Sequence, residues 1–463
     1  VVQLVRGADP AADPLLVLRV AVAAARHGAR IERHSLNRLE AEAPRLGDPW
    51  PAGARELFVA LLLAGRPAIE VIEALDQKGI WVRILPEWSA VRSRPQRNAY
   101  HTFTVDRHLC ETAANAAERV ERVDRPDLLV VAALFHDIGK GYPGDHTEVG
   151  VEMLGRIGSR MGFPPADVAT LQDLVRFHLL LPDIATRRDL GDEATIHHVA
   201  DQVGTASTLR LLEVLTEADS LATGPAAWNE WKAELVGVLV DRVAHVLGGG
   251  ALEEIRVEEF PTDEQLRLMA ERRRVISGSD ERLTVVAPDR PGLFSRIAGA
   301  LALNGLDVLD ARALSDDGGM ALATFRVESN FGPVIAWERV VRDVEAAVEG
   351  RLAIHARLRE RARVYARSRV RPAPPTSPAV LIDTALSPKA TVVEVHAQDA
   401  VGVLYRITRA IAELDLDIRS AKVQTLGDDV VDSFYVTDRL GGKVVDTSHL
   451  AELERAILHA LEE

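Results

Sequence analysis

The apolar run LLVVAALF, Leu128 to Phe135, leads without a break into His136 and Asp137. A segment so uniformly apolar reads as a helix buried on all sides, and it is too short to cross a membrane. Gly139 and Gly141 then break the helix, with Lys140 between them. The fold must therefore carry two polar, metal-capable side chains at the end of a core helix. Buried polar groups are costly unless something satisfies them. This stretch needs a domain around it and partners for its last two residues.

Candidate partners are spaced along the chain. His108 lies upstream, and His146, His178 and Asp219 lie downstream, each in a helical or helix-edge context. Leu171, Leu174, Val175 and His178 follow the i, i+3, i+4, i+7 pattern, which predicts His178 on a core-facing stripe. Leu211, Leu212, Leu215 and Asp219 do the same for the aspartate. A lone His-Asp pair reads as a hydrogen-bonded histidine beside a helix cap. Four helices that aim His or Asp inward read as a metal cage inside a bundle. Nitrogen and carboxylate donors suit Mn, Fe, Zn or, with fewer nitrogens, Mg. His27 and His34, in RHGARIERH, read instead as solvated residues of a polar helix.

Length and composition bound the rest. A chain of 463 residues suggests about three domains. Hydrophobic residues at 47% and charged residues at 27% are those of a soluble globular protein. Acidic side chains number 69 against 55 basic, a net charge of −14, which argues against nucleic acid as the main partner. Cys110 is the only cysteine, so no intramolecular disulfide can form. Without a signal peptide or a long apolar span, no membrane partner and a cytoplasmic location are expected. The chain begins Val-Val, enters mid-pattern and reads as a fragment.

Residues 1–85 read as a helical linker region, punctuated by Gly65-Arg66-Pro67 and Gly79. Residues 86–247 form the helical domain around His136, interrupted by Pro164-Pro165 and Pro182, with Gly224-Pro225 ending the Asp219 helix. Residues 248–281, with Gly248-Gly249-Gly250 and EEIRVEEFPTDE, read as a linker. From Arg282 the periodicity changes. RLTVVAP, DRPGLFSRIAGALALNGL, DVLDARAL and MALATFRVE predict strand, loop and helix, strand, strand. The same order returns in TVVEVHAQD, AVGVLYRITRAIAELDL, DIRSAKVQT and VVDSFYVTD. A shift of 110 residues superposes Asp289 on Asp399, Gly292 on Gly402 and Asp307 on Asp417. The result is an internal repeat of a βαββ unit, residues 282–360 and 391–463, separated by a Pro-rich spacer at 361–390.

In each copy a strand delivers Asp289 or Asp399, a turn carries Gly292 or Gly402, and a helix opens. The aspartate is placed to accept an α-ammonium group, and free amides at the helix start attract a carboxylate. The competing reading is an Asp cap beside a glycine turn. Ala400-Val401 in the second copy replaces Arg290-Pro291 of the first, which weakens the case for a ligand there.

His108, His136-Asp137 and Asp219 match the H…HD…D pattern of the HD superfamily of metal-dependent phosphohydrolases. Four blocks between Pro86 and Lys232, PEWSAVRSRPQRNAYHTFTVDRH, LFHDIGKGYPGDHTEVG, FHLLLPDIATRRDL and EADSLATGPAAWNEWK, carry a closer resemblance. They are similar to the bifunctional uridylyltransferase/uridylyl-removing family, which acts on the PII nitrogen-signalling protein. Each βαββ copy resembles an ACT domain. The implied fold is an all-α HD domain followed by two α+β, ferredoxin-like ACT domains.

The resemblance also implies chemistry. A divalent ion, Mn or Mg foremost with Fe or Zn as alternatives, would be held by His108, His136, Asp137 and Asp219. The reaction would remove a nucleotidyl group, UMP or in some relatives AMP, from a tyrosine of PII. Glutamine would be the effector, held at Asp289 and Gly292, at Asp399 and Gly402, or at both. Asp137 is expected to accept a proton from the attacking water. His146 and His178 complete a second metal site or hold the phosphate, and Lys140, Arg187 and Arg188 are candidate phosphate clamps. The Gly-Ser and Asp-x-Asp of the family's transferase domain are not found, so nucleotidyl addition is not expected. Two alternatives stand beside this reading. A guanosine-polyphosphate hydrolase also joins HD and ACT modules, but carries an acidic pair where this chain has Ile138-Gly139-Lys140. A non-catalytic glutamine sensor that holds PII would need none of the metal-type side chains.

Overall fold

The Pro126–Phe135 helix is the centre of the first of two units. In the computed structural model, residues 1–96, 101–224, 227–252, 260–316, 318–330, 332, 334–368, 377–426 and 429–462 are described. Pro225, most of EEIRVEEFPTDE and most of PAPPTSP lie outside these residues. The first unit is Val1–Asp183 with His197–Ala251; the second is Ile184–Ile196 with Leu252–Glu463. No described helix is long and apolar enough to cross a membrane.

Proline at the first position of the central helix supplies a preset φ where no amide partner is needed. From Leu128 to Phe135 no residue is more than 2% exposed, as the uniform apolar run requires. The helices Ala54–Leu62, Val105–Ala117, Pro165–Arg176 and Ala206–Thr223 pack around it. Residues 1–85, read above as a linker, belong to this core. Phe58 stacks on Phe135 with ring centroids 6.4 Å apart and on Trp81 at 5.7 Å.

The turn after the helix decides where the polar residues go. Asp137 leads into a short 3-10 turn, Ile138–Gly141. A Cβ at Gly139 would run into the His146 carbonyl oxygen, and one at Gly141 into Ala90. Glycine at both places lets the chain fold back tightly, so the His146–Met161 helix starts beside Asp137. Asp145 caps that helix, accepting from the Thr147 and Glu148 amides at 2.9 and 3.0 Å.

The second unit is built on an antiparallel sheet of β1 (Val275–Ser279), β2 (Arg282–Pro288), β3 (Leu306–Ser315), β4 (Met320–Ser329), β5 (Ala379–Asp383), β6 (Thr391–Gln398), β7 (Leu416–Leu426) and β8 (Asp429–Asp438). Their order is β1-β2-β4-β3-β7-β8-β6-β5, so the two repeats share one sheet about a pseudo-twofold. The helices Leu293–Leu303, Trp337–Val348, Val403–Glu413 and Thr447–Glu462 contribute to one continuous core with the sheet. Both repeats carry the same irregularity, a register shift at Val308/Asp310 and at Ile418/Ser420. They join through β3 and β7, where Ala311 faces Ala421 and Asp310 faces Lys422.

Each repeat also carries one strand more than the expected βαββ. β1 falls in the stretch read as linker and β5 in the stretch read as spacer. Both are short edge strands whose side chains are half-buried or exposed, so neither shows a clear hydrophobic alternation.

Candidate metal centre

Six side chains from separate places in the first unit converge beyond the end of the central helix. His108 comes from Val105–Ala117, His136 and Asp137 from the end of Pro126–Phe135, and His146 opens its helix. Asp219 comes from Ala206–Thr223. His178 stands two residues past the end of Pro165–Arg176, so the periodicity that predicted it stops short of it, yet it is 2% exposed.

They form two donor sets. His108, His136 and Asp219 make the first; Asp137, His146 and His178 make the second. In the first, Asp219 Oδ1 lies 3.0 Å from His108 Nε2 and 3.2 Å from His136 Nε2. The two imidazole Nε2 atoms are 3.2 Å apart. Asp137 faces both sets. Its Oδ2 lies 3.4 Å from His136 Nε2 and 3.7 Å from His108 Nε2. Its Oδ1 lies 3.7 Å from both His146 Nε2 and His178 Nε2.

The outer nitrogens fix the rings. His136 Nδ1 donates to the Ala133 carbonyl at 2.9 Å, and His178 Nδ1 to the Val175 carbonyl at 2.7 Å. A proton on Nδ1 leaves the lone pair on Nε2, which turns toward the cluster, as a metal ligand requires. Asp137 Oδ1 is buried and among the described residues has no hydrogen-bond partner, an orphaned acceptor that a cation would satisfy. The donors fit one or two divalent ions of the N/O type.

The electrostatics agree. Burial, the strongest influence on His136, disfavours its charge. The Asp219 and Asp137 carboxylates overcome it and push the pKa up to about 10. Burial likewise opposes the charge on Asp137 and Asp219, but His136 and its neighbours hold both well below the ordinary carboxylate range. The pocket strongly favours positive charge. Lys140 sits at its edge, with Nζ 2.5 Å from Asp137 Oδ2 and 3.2 Å from Gln96 Oε1.

One residue was missed. His101 brings its ring to 5.7 Å from that of His108, and burial pushes its pKa down to about 4. It precedes the Val105–Ala117 helix, so no helical spacing marked it.

Arg187 and Arg188, the candidate phosphate clamps, are not among the six converging side chains and lie between His178 and Asp219 in chain order. Their segment belongs to the second unit. There Arg188 Nη1 lies 3.3 Å from Glu394 Oε2 and Arg187 Nη1 3.9 Å from Glu394 Oε1, on β6. Both guanidinium groups lie beside this one carboxylate. Glu394 is 206 residues further along the chain than Arg188, so the pair looks unoccupied in sequence.

In the repeats, Gly292 and Gly402 take left-handed backbone, φ +76° and +79°, just before their helices. Each lines a cavity together with its aspartate. The cavity beside Asp399 measures ≈ 560 Å³ and the one beside Asp289 ≈ 50 Å³. The second copy, with Ala400-Val401, holds the roomier site.

Known proteins bear on this arrangement. Residues 105–224 match the HD domain family, and residues 386–462 match the ACR family N-terminal ACT domain. A bifunctional uridylyltransferase/uridylyl-removing enzyme of Streptomyces coelicolor is 44% identical over 94% of this chain and 58% of its own length. Proteins of the same name from Mycobacterium tuberculosis and Azospirillum brasilense are 41% and 31% identical, each over 97% of this chain and over 58% and 55% of their own lengths. The chain spans little more than half the length of these curated relatives and matches their C-terminal half.

Proposed function

We propose that this chain, which belongs to the family of bifunctional uridylyltransferase/uridylyl-removing enzymes, hydrolyses a nucleotidyl group from a tyrosine of PII at its HD centre. An amino acid, glutamine, bound by the ACT repeats would control that reaction. The observation that carries the catalytic half is the division of Asp137, with one oxygen toward each donor set. A carboxylate placed in this way could contribute to both donor sets if each held a divalent ion, and two-ion sites suit displacement at phosphorus.

His108, His136 and Asp219 would hold one ion, His146 and His178 the other, with Asp137 between them. When bound, the ions supply a water of lowered pKa and neutralise phosphoryl oxygens. The Ala133 and Val175 carbonyls keep the His136 and His178 rings oriented with Nε2 inward. Lys140, a quarter exposed beside Asp137, is placed to hold a phosphoryl oxygen at the edge of the pocket.

The test uses PII carrying either uridylyl or adenylyl groups, incubated with the chain and Mn²⁺ and followed by mass spectrometry. Loss of one nucleotidyl mass is expected, abolished by His136→Ala or Asp137→Ala and changed in rate by glutamine. The modified form that reacts identifies the base. Intact PII under every divalent metal tried would overturn the hydrolase reading.

A further inference from the structure

The pseudo-twofold that relates the repeats also relates their two cavities. Asp399, Gly402 and Val430 from the second repeat line the larger one, facing Asp307 and Arg361 from the first. Asp289 and Gly292 line the smaller one, facing Asp417. These walls correspond through the 110-residue shift. The strands behind them do not.

Ala323 on β4 lies across from Val285 of β2, and Asp432 on β8 lies across from Val395 of β6. Val285 and Val395 are equivalent by the shift, so Asp432 stands where the first repeat has Ala323. Ala323 lines the small cavity. Asp432 is directly opposite Val423 on β7 and two residues from Val430, and both valines line the large cavity. Side chains two apart on a strand, or opposite across an antiparallel pair, share a face. Asp432 therefore shares the sheet face of these two lining valines, with its carboxylate buried beside them.

It is an unusual residue to find there. Asp432 is 0% exposed, and among the described residues neither carboxylate oxygen has a side-chain hydrogen-bond partner; the Gln424 backbone amide is the one group that favours its charge. Burial pushes its pKa up to about 8; the Gln424 backbone amide opposes this and the Asp399 carboxylate adds to it. An unpartnered buried carboxylate carries a desolvation penalty. A cationic ligand group would remove that penalty.

We propose that Asp432, together with Asp399, binds the ammonium group of the amino-acid effector, and that the second-repeat cavity alone takes this ligand. The proposal rests on the reading of the repeats as an amino-acid sensor. The first-turn amides that follow Gly402 receive the ligand's carboxylate. Its side chain extends toward Asp307 and toward Arg361, whose guanidinium donates to the Leu303 carbonyl. The cavity beside Asp289 has Ala323 in the place of Asp432 and about one tenth of the space.

The test is calorimetric titration of the chain with L-glutamine and with 4-carbamoylbutanoate, the same molecule without its ammonium. One glutamine per chain is expected. Asp432→Ala, which installs the first repeat's residue, and Asp432→Asn each weaken glutamine binding roughly tenfold or more. The wild type binds 4-carbamoylbutanoate at least about tenfold more weakly than glutamine, and Asp432→Ala does not widen that loss. Asp289→Asn, at the first repeat's counterpart of Asp399, leaves glutamine affinity within about twofold. Thermal unfolding shows that Asp432→Ala is folded, with a midpoint at or above that of the wild type. Glutamine binding that survives both Asp432 changes, or is lost on Asp289→Asn instead, overturns this assignment while the sensor reading stands. A wild-type chain that binds no glutamine overturns both.

Discussion

At the scale of the residue, the chain places carboxylates where charge is costly and gives them different partners. Asp137 has five charged or chargeable neighbours within 3.7 Å, His108, His136, Lys140, His146 and His178. Among the described residues, Asp432 has no charged or chargeable side chain that donates to it. The difference has a measurable consequence. Asp432 keeps its proton in the folded state up to about pH 8, whereas its ordinary value is 3.8. Between these values the folded state binds a proton that the unfolded state releases, so stability falls as pH rises through this window. Relative to Asp432→Ala, the ligand-free wild type should lose about 1.4 kcal/mol per pH unit across the middle of the window and nothing further above it. Urea unfolding of both proteins at pH 5, 6, 7 and 9 measures the gap. A gap independent of pH would refute the buried, unpaired carboxylate.

The element scale is best seen at the junction of β3 and β7, where two repeats become one sheet. Lys422, 4% exposed, places Nζ 3.0 Å from Asp310 Oδ1 across that junction. A buried pair of this kind contributes little net stability, but removing one partner strands the other. Lys422→Met should therefore cost about 3 kcal/mol, and Lys422→Met with Asp310→Leu should recover most of it. Equal costs for the single and the double change would mean that the ion pair has no part in the junction. The repeat itself was legible because its alternating strands and its helix recur at a fixed offset. The extra strands β1 and β5 were not, because exposed edges carry no such alternation. The pairing of Asp310 with Lys422 was equally hidden, since it depends on which strand of the second copy lies against the first.

At the scale of the molecule, the chain passes between its two units twice more than a simple order of domains would suggest. Ile184–Ile196 leaves the helical unit and packs with the second repeat. There the Thr186 hydroxyl donates to Gln424 Oε1 at 3.0 Å, and the Asp189 amide donates to the Tyr435 hydroxyl at 2.8 Å. The helical unit, for its part, encloses a cluster of histidines and aspartates compatible with a divalent ion. Removing divalent ions with a chelator should lower its stability by about 2.7 kcal/mol for an ion that had been held at a hundredfold its Kd. Hydrogen exchange should rise in the helices that carry His108, His136, His146 and Asp219. Unchanged exchange there would argue against a resident ion.

Sequence alone determined the buried central helix, the histidines and aspartates that meet at its end, and the duplicated βαββ unit. The helix and the repeat are written in local periodicity, and the histidines and aspartates in their residue types at helical or helix-edge positions. Tertiary structure decided the rest: that Asp137 divides its oxygens between two donor sets, that Glu394 engages Arg187 and Arg188, and that the second repeat holds the open cavity with Asp432 behind it. These outcomes depend on groups brought together from distant parts of the chain. Local periodicity gives a side chain its face, and only the packing of whole elements gives it a partner.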